Sequence, residues 1–143
     1  MKRWVVCAAM AAFFMAGSAV AQDPIAARQA AMKEVGKNFG AVNRMNRGQA
    51  PFDGAAAGAA FEAIAAASSG YGDLFPAGTE TGGETEALPA IWENKADFDA
   101  MVAKLEADAE AAVPEAAKDE AAFKAAFAAV AKNCSACHSK YRE

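Results

Sequence analysis

Cys134, Cys137 and His138 are the residues of this chain whose types and spacing could do chemistry, in the run Cys134-Ser135-Ala136-Cys137-His138. Two thiols three positions apart on a helix project to one side. There they can bond the two vinyl-derived carbons along one edge of a porphyrin. The histidine that follows can set an imidazole nitrogen on the iron, and the pattern C-x-x-C-H is the attachment signal of c-type haem. Other uses of the pair fit less well. A structural zinc site needs four ligands, and His138 is the only histidine of the chain. A thioredoxin-like pair belongs near a βαβ pattern, and no strand is visible here. A plain disulfide leaves His138 unexplained. The expected cofactor is therefore one covalent haem c, with Cys134 and Cys137 as thioether positions and His138 as the proximal axial ligand.

Residues 1–21 read as a secretory signal. Lys2 and Arg3 precede a short apolar run from Trp4 to Ala16, and Ala19-Val20-Ala21 is a small-x-small cleavage site. Cleavage near Ala21/Gln22 removes Cys7 and leaves only the motif thiols. It also leaves 12 basic against 18 acidic groups, a formal charge of −6. The expected location is the periplasm, with no membrane insertion after cleavage. An acidic chain without a basic stripe argues against nucleic-acid binding. It favours a partner with a basic docking patch.

These residues must be positioned by helices. The apolar share is largely alanine, the best helix former, and β-branched residues are scarce. A first helix is expected from about Asp23 to Arg47, capped by Asp23 with Pro24 at its first position. Its apolar side collects Met32, Val35, Phe39, Val42 and Met45, and Arg28 lies on that same side. A second is expected from Asp53 to Ser68. Only Phe61 and Ile64 are large on its face, so it permits close backbone approach, within the domain or across a dimer contact. A loop follows from 69 to 87, long enough to suggest a task. Pro89 opens a third helix running to about Val113, where Pro114 ends it. Asp119 caps a fourth, with Phe123, Phe127, Val130, Cys134 and Tyr141 along its stripe. The fold class is all-α, an antiparallel four-helix bundle whose C-terminal helix carries the attachment motif. One domain is expected over 22–143.

In this arrangement the chain resembles the class II c-type cytochromes, the family of cytochrome c′ and its low-spin His/Met relatives. The motif lies near the C-terminus and continues to Tyr141-Arg142, as in the family's C-x-x-C-H-x-x-[YF]-R ending. Arg28-Gln29-Ala-Ala-Met32-Lys33 is similar to the family's R-Q-x-x-[LMF]-x pattern, and Leu74-Phe75-Pro76-Ala77-Gly78-Thr79 with Ala90-Ile91-Trp92 also matches it. The resemblance implies haem-edge contacts for Arg28 and Gln29, with Arg28 against a propionate; the alternative for Arg28 is an exposed charge. It implies that the loop at Glu84 and Thr85 approaches the haem. It places Arg142 on the proximal side; the alternative is a frayed terminus.

Met32 falls at the family's distal position. As an axial ligand it gives a six-coordinate, low-spin iron suited to electron transfer. As a packing residue it leaves a five-coordinate iron that binds gases such as NO or CO. The run Met32-Lys33-x-x-Gly36 looks more like the low-spin relatives, so the expected function is a periplasmic monohaem electron carrier serving redox partner proteins, with the gas-binding protein as alternative. His138 is committed to iron and no nucleophile or dyad is visible, so the chain is not read as an enzyme. Many relatives are homodimers, which leaves a homodimer open here.

Overall fold

Asp23 starts the first helix by accepting a hydrogen bond from the Ile25 amide at 3.0 Å, and α1 then runs Pro24–Asn46. This computed structural model describes residues 23–143; the expected signal segment lies outside them. Arg47 closes α1 and Gly48 follows at φ +66°, a left-handed position that suits glycine. Four more helices follow: α2 Gly54–Ser68, α3 Ala90–Glu93, α4 Lys95–Ala116 and α5 Glu120–Tyr141. Asp53 caps α2 through the Ala56 amide, and Asp119 caps α5 through the Ala122 amide. Each cap satisfies a donor that the first helical turn leaves orphaned. α1, α2, α4 and α5 form the four-helix bundle, and α3 is a single turn leading into α4. No helix among the described residues is long and apolar enough to cross a membrane.

The third helix differs from expectation at both ends. It is broken at Asn94, whose backbone leaves the helical region at φ −126°, ψ 43°. The Asn94 side chain donates to the Ala90 carbonyl at 3.2 Å, a local bond that competes with helix continuation. At the far end α4 runs through Pro114 and stops at Ala116. So few residues follow Pro114 that its missing amide costs only a bond at the fraying end.

The thin face of α2 is used inside the domain. Ala57, Phe61 and Ile64 are fully buried. A Cβ on Gly54 would stand 2.7 Å from the Ala116 carbonyl oxygen, and one on Gly58 3.5 Å from that of Val113. Glycine and alanine on α2 thus let it approach the last turns of α4.

The core has two parts. Val35, Val42, Phe61, Ile64, Phe123 and Val130 anchor the bundle core, with Met32, Phe39 and Met45 packed against it. Each fully buried large side chain contributes ~1.5–3 kcal/mol. A second, aromatic cluster joins Phe75, Ile91, Phe98 and Tyr141, and Cys137 packs against it. Phe75 and Phe98 meet edge to face at 4.8 Å, and Phe98 and Tyr141 at 5.3 Å. α1 and α5 approach one another far less closely than the other neighbouring helices do, and the site opens there.

Candidate functional site

α5 presents Cys134, Cys137 and His138 along a cavity of about 700 Å³. This volume lies within the ~300–1,000 Å³ typical of small-molecule sites. Helical geometry turns both cysteines toward the cavity, and neither is in a disulfide. Burial pushes both thiols above their ordinary pKa. Burial, and then the neighbouring Arg142 charge, push the His138 imidazole below its ordinary value. That favours the neutral ring, the form that can bind a metal.

The opposite wall comes from α1. Met32, Val35, Gly36 and Phe39 line the cavity there, and Phe39 stacks on Phe127 at 5.2 Å. Met32 also packs against the bundle core. Nothing lies within 4 Å of where a Cβ on Gly36 would stand. Met101, Val102 and Leu105 of α4 continue the apolar lining.

The polar groups gather at one rim. Arg28 is only 3 % exposed, so it is not a surface charge. Its Nη2 donates to the Thr85 hydroxyl at 2.8 Å and to the Thr79 carbonyl at 3.0 Å, and its Nη1 to the Thr79 hydroxyl at 3.3 Å. The guanidinium carbon lies 4.8 Å from the Phe75 ring centroid and 5.6 Å from that of Trp92. Gln29 donates to the Glu84 carbonyl at 2.8 Å. The Arg28-Gln29 pair and the Glu84-Thr85 stretch, far apart in sequence, therefore meet and tie the loop to α1, and all four residues line the cavity.

Arg142 also lines the cavity, and the chain end there is held rather than frayed. Its guanidinium pairs with Glu86. Ala87 and Arg142 form an antiparallel bridge, the Leu88 amide donates to the Tyr141 carbonyl at 3.0 Å, and the Glu143 amide to the Glu86 carbonyl at 3.0 Å.

Several residues of the site carried no motif. Tyr71, on a 3-10 turn at Tyr71–Leu74, lines the cavity, and burial pushes its phenol up to about 12 against the opposing pull of Arg28. Phe98 lines it as well, beside Tyr141 of the attachment ending. Gly70, at φ +66° just before the 3-10 turn, is a local signal of where that turn begins.

The donor set suits haem c. Two thiols and an imidazole share one helix at a largely apolar slot, and a buried guanidinium at the rim can face carboxylates. The family model for cytochrome C′ matches residues 23–142.

The chain belongs to the cytochrome c′ family. A cytochrome c′ of Rhodopseudomonas palustris is 46% identical over 127 residues, 88% of this chain and 86% of that protein. The solved cytochrome c′ structure from the same species superposes with a TM-score of 0.82 at 44% identity, covering 85% of this chain and 97% of that one. A cytochrome c-556 of Agrobacterium fabrum is 39% identical over 127 residues, 89% of this chain and 86% of that protein. A mutant cytochrome c prime from Alcaligenes xylosoxidans, solved as its nitric oxide complex, superposes at 0.75 with 32% identity, covering 85% of this chain and 94% of that one. Cytochromes c′ bear one covalently attached haem c, and this chain is a haem protein of that type.

Proposed function

We propose that this is an exported, periplasmic cytochrome c′ whose haem face on the Met32 side is open to diatomic gases such as NO and CO. In this reading the mature domain starts near Gln22. Cys134 and Cys137 hold the haem through thioethers, and His138 is the proximal ligand. When bound, haem c supplies an iron centre that takes up one electron and, with a coordination position free, a small gas.

The observation that carries the reading is the position of Met32. Its side chain packs against the bundle core while forming part of an apolar cavity wall. A thioether engaged in packing acts as a core residue. Val35, Phe39 and Leu105 make the wall around Met32 apolar, which suits a small uncharged gas. A mutant of the Alcaligenes xylosoxidans relative was solved as its nitric oxide complex. Arg28, Gln29 and Thr85 hold the loop rim, and the Arg28 charge is available there to a haem carboxylate. Arg142 stands beside His138, and its charge helps keep the imidazole neutral.

The test is an optical spectrum of the mature holoprotein. A broad high-spin spectrum with rapid CO binding to the reduced form is expected. Sharp α and β bands on reduction, with a sulfur-to-iron band on oxidation, would overturn it.

A second reading has support of its own. The Met32-Lys33-x-x-Gly36 run, the open space around Gly36 and the Agrobacterium fabrum cytochrome c-556 favour Met32 as axial ligand and reversible electron transfer to redox partner proteins. The same spectrum separates the two.

A further inference from the structure

The last turn of α5 places two side chains on one carboxylate of α4. The Tyr141 hydroxyl donates to Asp97 Oδ2 at 2.5 Å, and Lys140 Nζ donates to the same oxygen at 2.8 Å. Tyr141 is 2 % exposed, and its ring stands edge to face on Phe98, the residue after Asp97. Cys137, one turn earlier on α5, packs against this same cluster. The charged ends lie nearer water, with the Asp97 and Lys140 side chains 49 % and 47 % exposed.

We propose that the Asp97–Lys140 pair, docked on the attachment helix through the Tyr141 hydroxyl, sets the electrostatic bias on reduction of the haem, with Asp97 opposing the incoming electron and Lys140 favouring it. This rests on attachment of the haem at Cys134, Cys137 and His138. Reduction adds one negative charge to the haem. A fixed anion nearby disfavours that charge and a fixed cation favours it, and Asp97 and Lys140 stand behind the cavity wall that Tyr141 and Cys137 form. The pair sits against Tyr141 at the end of α5, one turn beyond Cys137, which packs on the same cluster. Tyr141 is the positioning residue, since its buried ring and short hydroxyl bond fix where the carboxylate sits. Glu86 and Arg142 form a second pair on the other flank of the helix end. That pair stays intact in every variant below.

The experiment measures reduced-to-oxidised ratios at fixed solution poise for mature holoprotein at low ionic strength, in the native chain, Asp97→Asn, Lys140→Gln and Tyr141→Phe. Covalent haem in each is first verified by pyridine haemochrome assay after denaturation. Asp97→Asn keeps an acceptor for the Tyr141 hydroxyl and removes only charge, so its ratio should rise about two- to fourfold, and that of Lys140→Gln should fall by about the same factor. Tyr141→Phe removes no charge, so its ratio should move less than either. Both charge effects should shrink at high salt. A structural disturbance would move the two charge variants the same way; shifts of equal sign, or none, overturn the inference. Absence of covalent haem in the native chain is a separate failure, of the attachment reading, and takes this inference with it.

Discussion

The guanidinium of Arg28 on α1 donates to the Thr85 hydroxyl at 2.8 Å across 57 residues of chain. That bond, with two more to Thr79, makes a buried cation the fastener of the loop that rims the site. A guanidinium spreads five donors over a rigid planar fork, whereas an ammonium gathers three rotatable donors on one atom.

Arg28→Ala should therefore destabilise the protein by about 2–4 kcal/mol, because it leaves the Thr79 and Thr85 groups without their donor. Arg28→Lys should recover only part of that loss. Denaturant unfolding gives the size. Faster proteolysis within the 76–86 segment, relative to the native protein, gives the place. Equal stability of native and Lys variants would contradict the fork argument.

Two glycines should respond in opposite ways to alanine. Gly54→Ala drives a methyl to 2.7 Å from the backbone oxygen of Ala116, so helix α2 must shift, at ~1–3 kcal/mol. Gly40→Ala meets nothing within 4 Å in the middle of α1 and should stabilise by ~0.5–1 kcal/mol. Thermal unfolding of the two variants side by side checks the pair.

Covalent haem should depend on both cysteines together. The double change Cys134→Ala, Cys137→Ala should abolish porphyrin retention on a denaturing gel stained for haem, and either single change should leave weaker staining through one thioether. Full retention in the double variant would remove the ground for haem attachment at α5.

Met32→Leu is predicted to leave the spin state of the oxidised protein unchanged, since leucine replaces methionine as packing. Met32→Ala should in addition speed CO binding, by removing bulk from the cavity wall. A change from low-spin to high-spin spectra in either variant would instead identify Met32 as an iron ligand.

Alkaline pH should loosen the fold through Tyr71. Its phenol titrates near about 10 when unfolded, and burial raises it to about 12 in the fold. A raised folded value favours the neutral phenol. The contribution is thus complete below about pH 10 and disappears as pH climbs toward 12, a loss of up to about 2–3 kcal/mol. The difference in denaturant stability between native protein and Tyr71→Phe, followed from neutral to alkaline pH, isolates this group. A difference that stays constant with pH would contradict it.

What could be read from the sequence alone is what acts within a turn or two of chain. Asp23, Asp53 and Asp119 cap their helices through amides two or three residues away, so their identity was enough to place the starts. The C-x-x-C-H spacing placed two thiols and the imidazole on one helix for the same reason. Periodicity named Val35, Val42, Phe123 and Val130 as core. Tertiary structure decided everything that depends on partners distant in sequence. It turned the Arg28 charge into a loop fastener and pressed Gly54 against Ala116. It also gathered Phe75, Phe98 and Tyr141 into a second core that no single stripe announces. The physical reason is that a hydrogen bond inside one helical turn is set by neighbouring residues, whereas which helices approach and what fills the space between them is set by the packing of the whole chain.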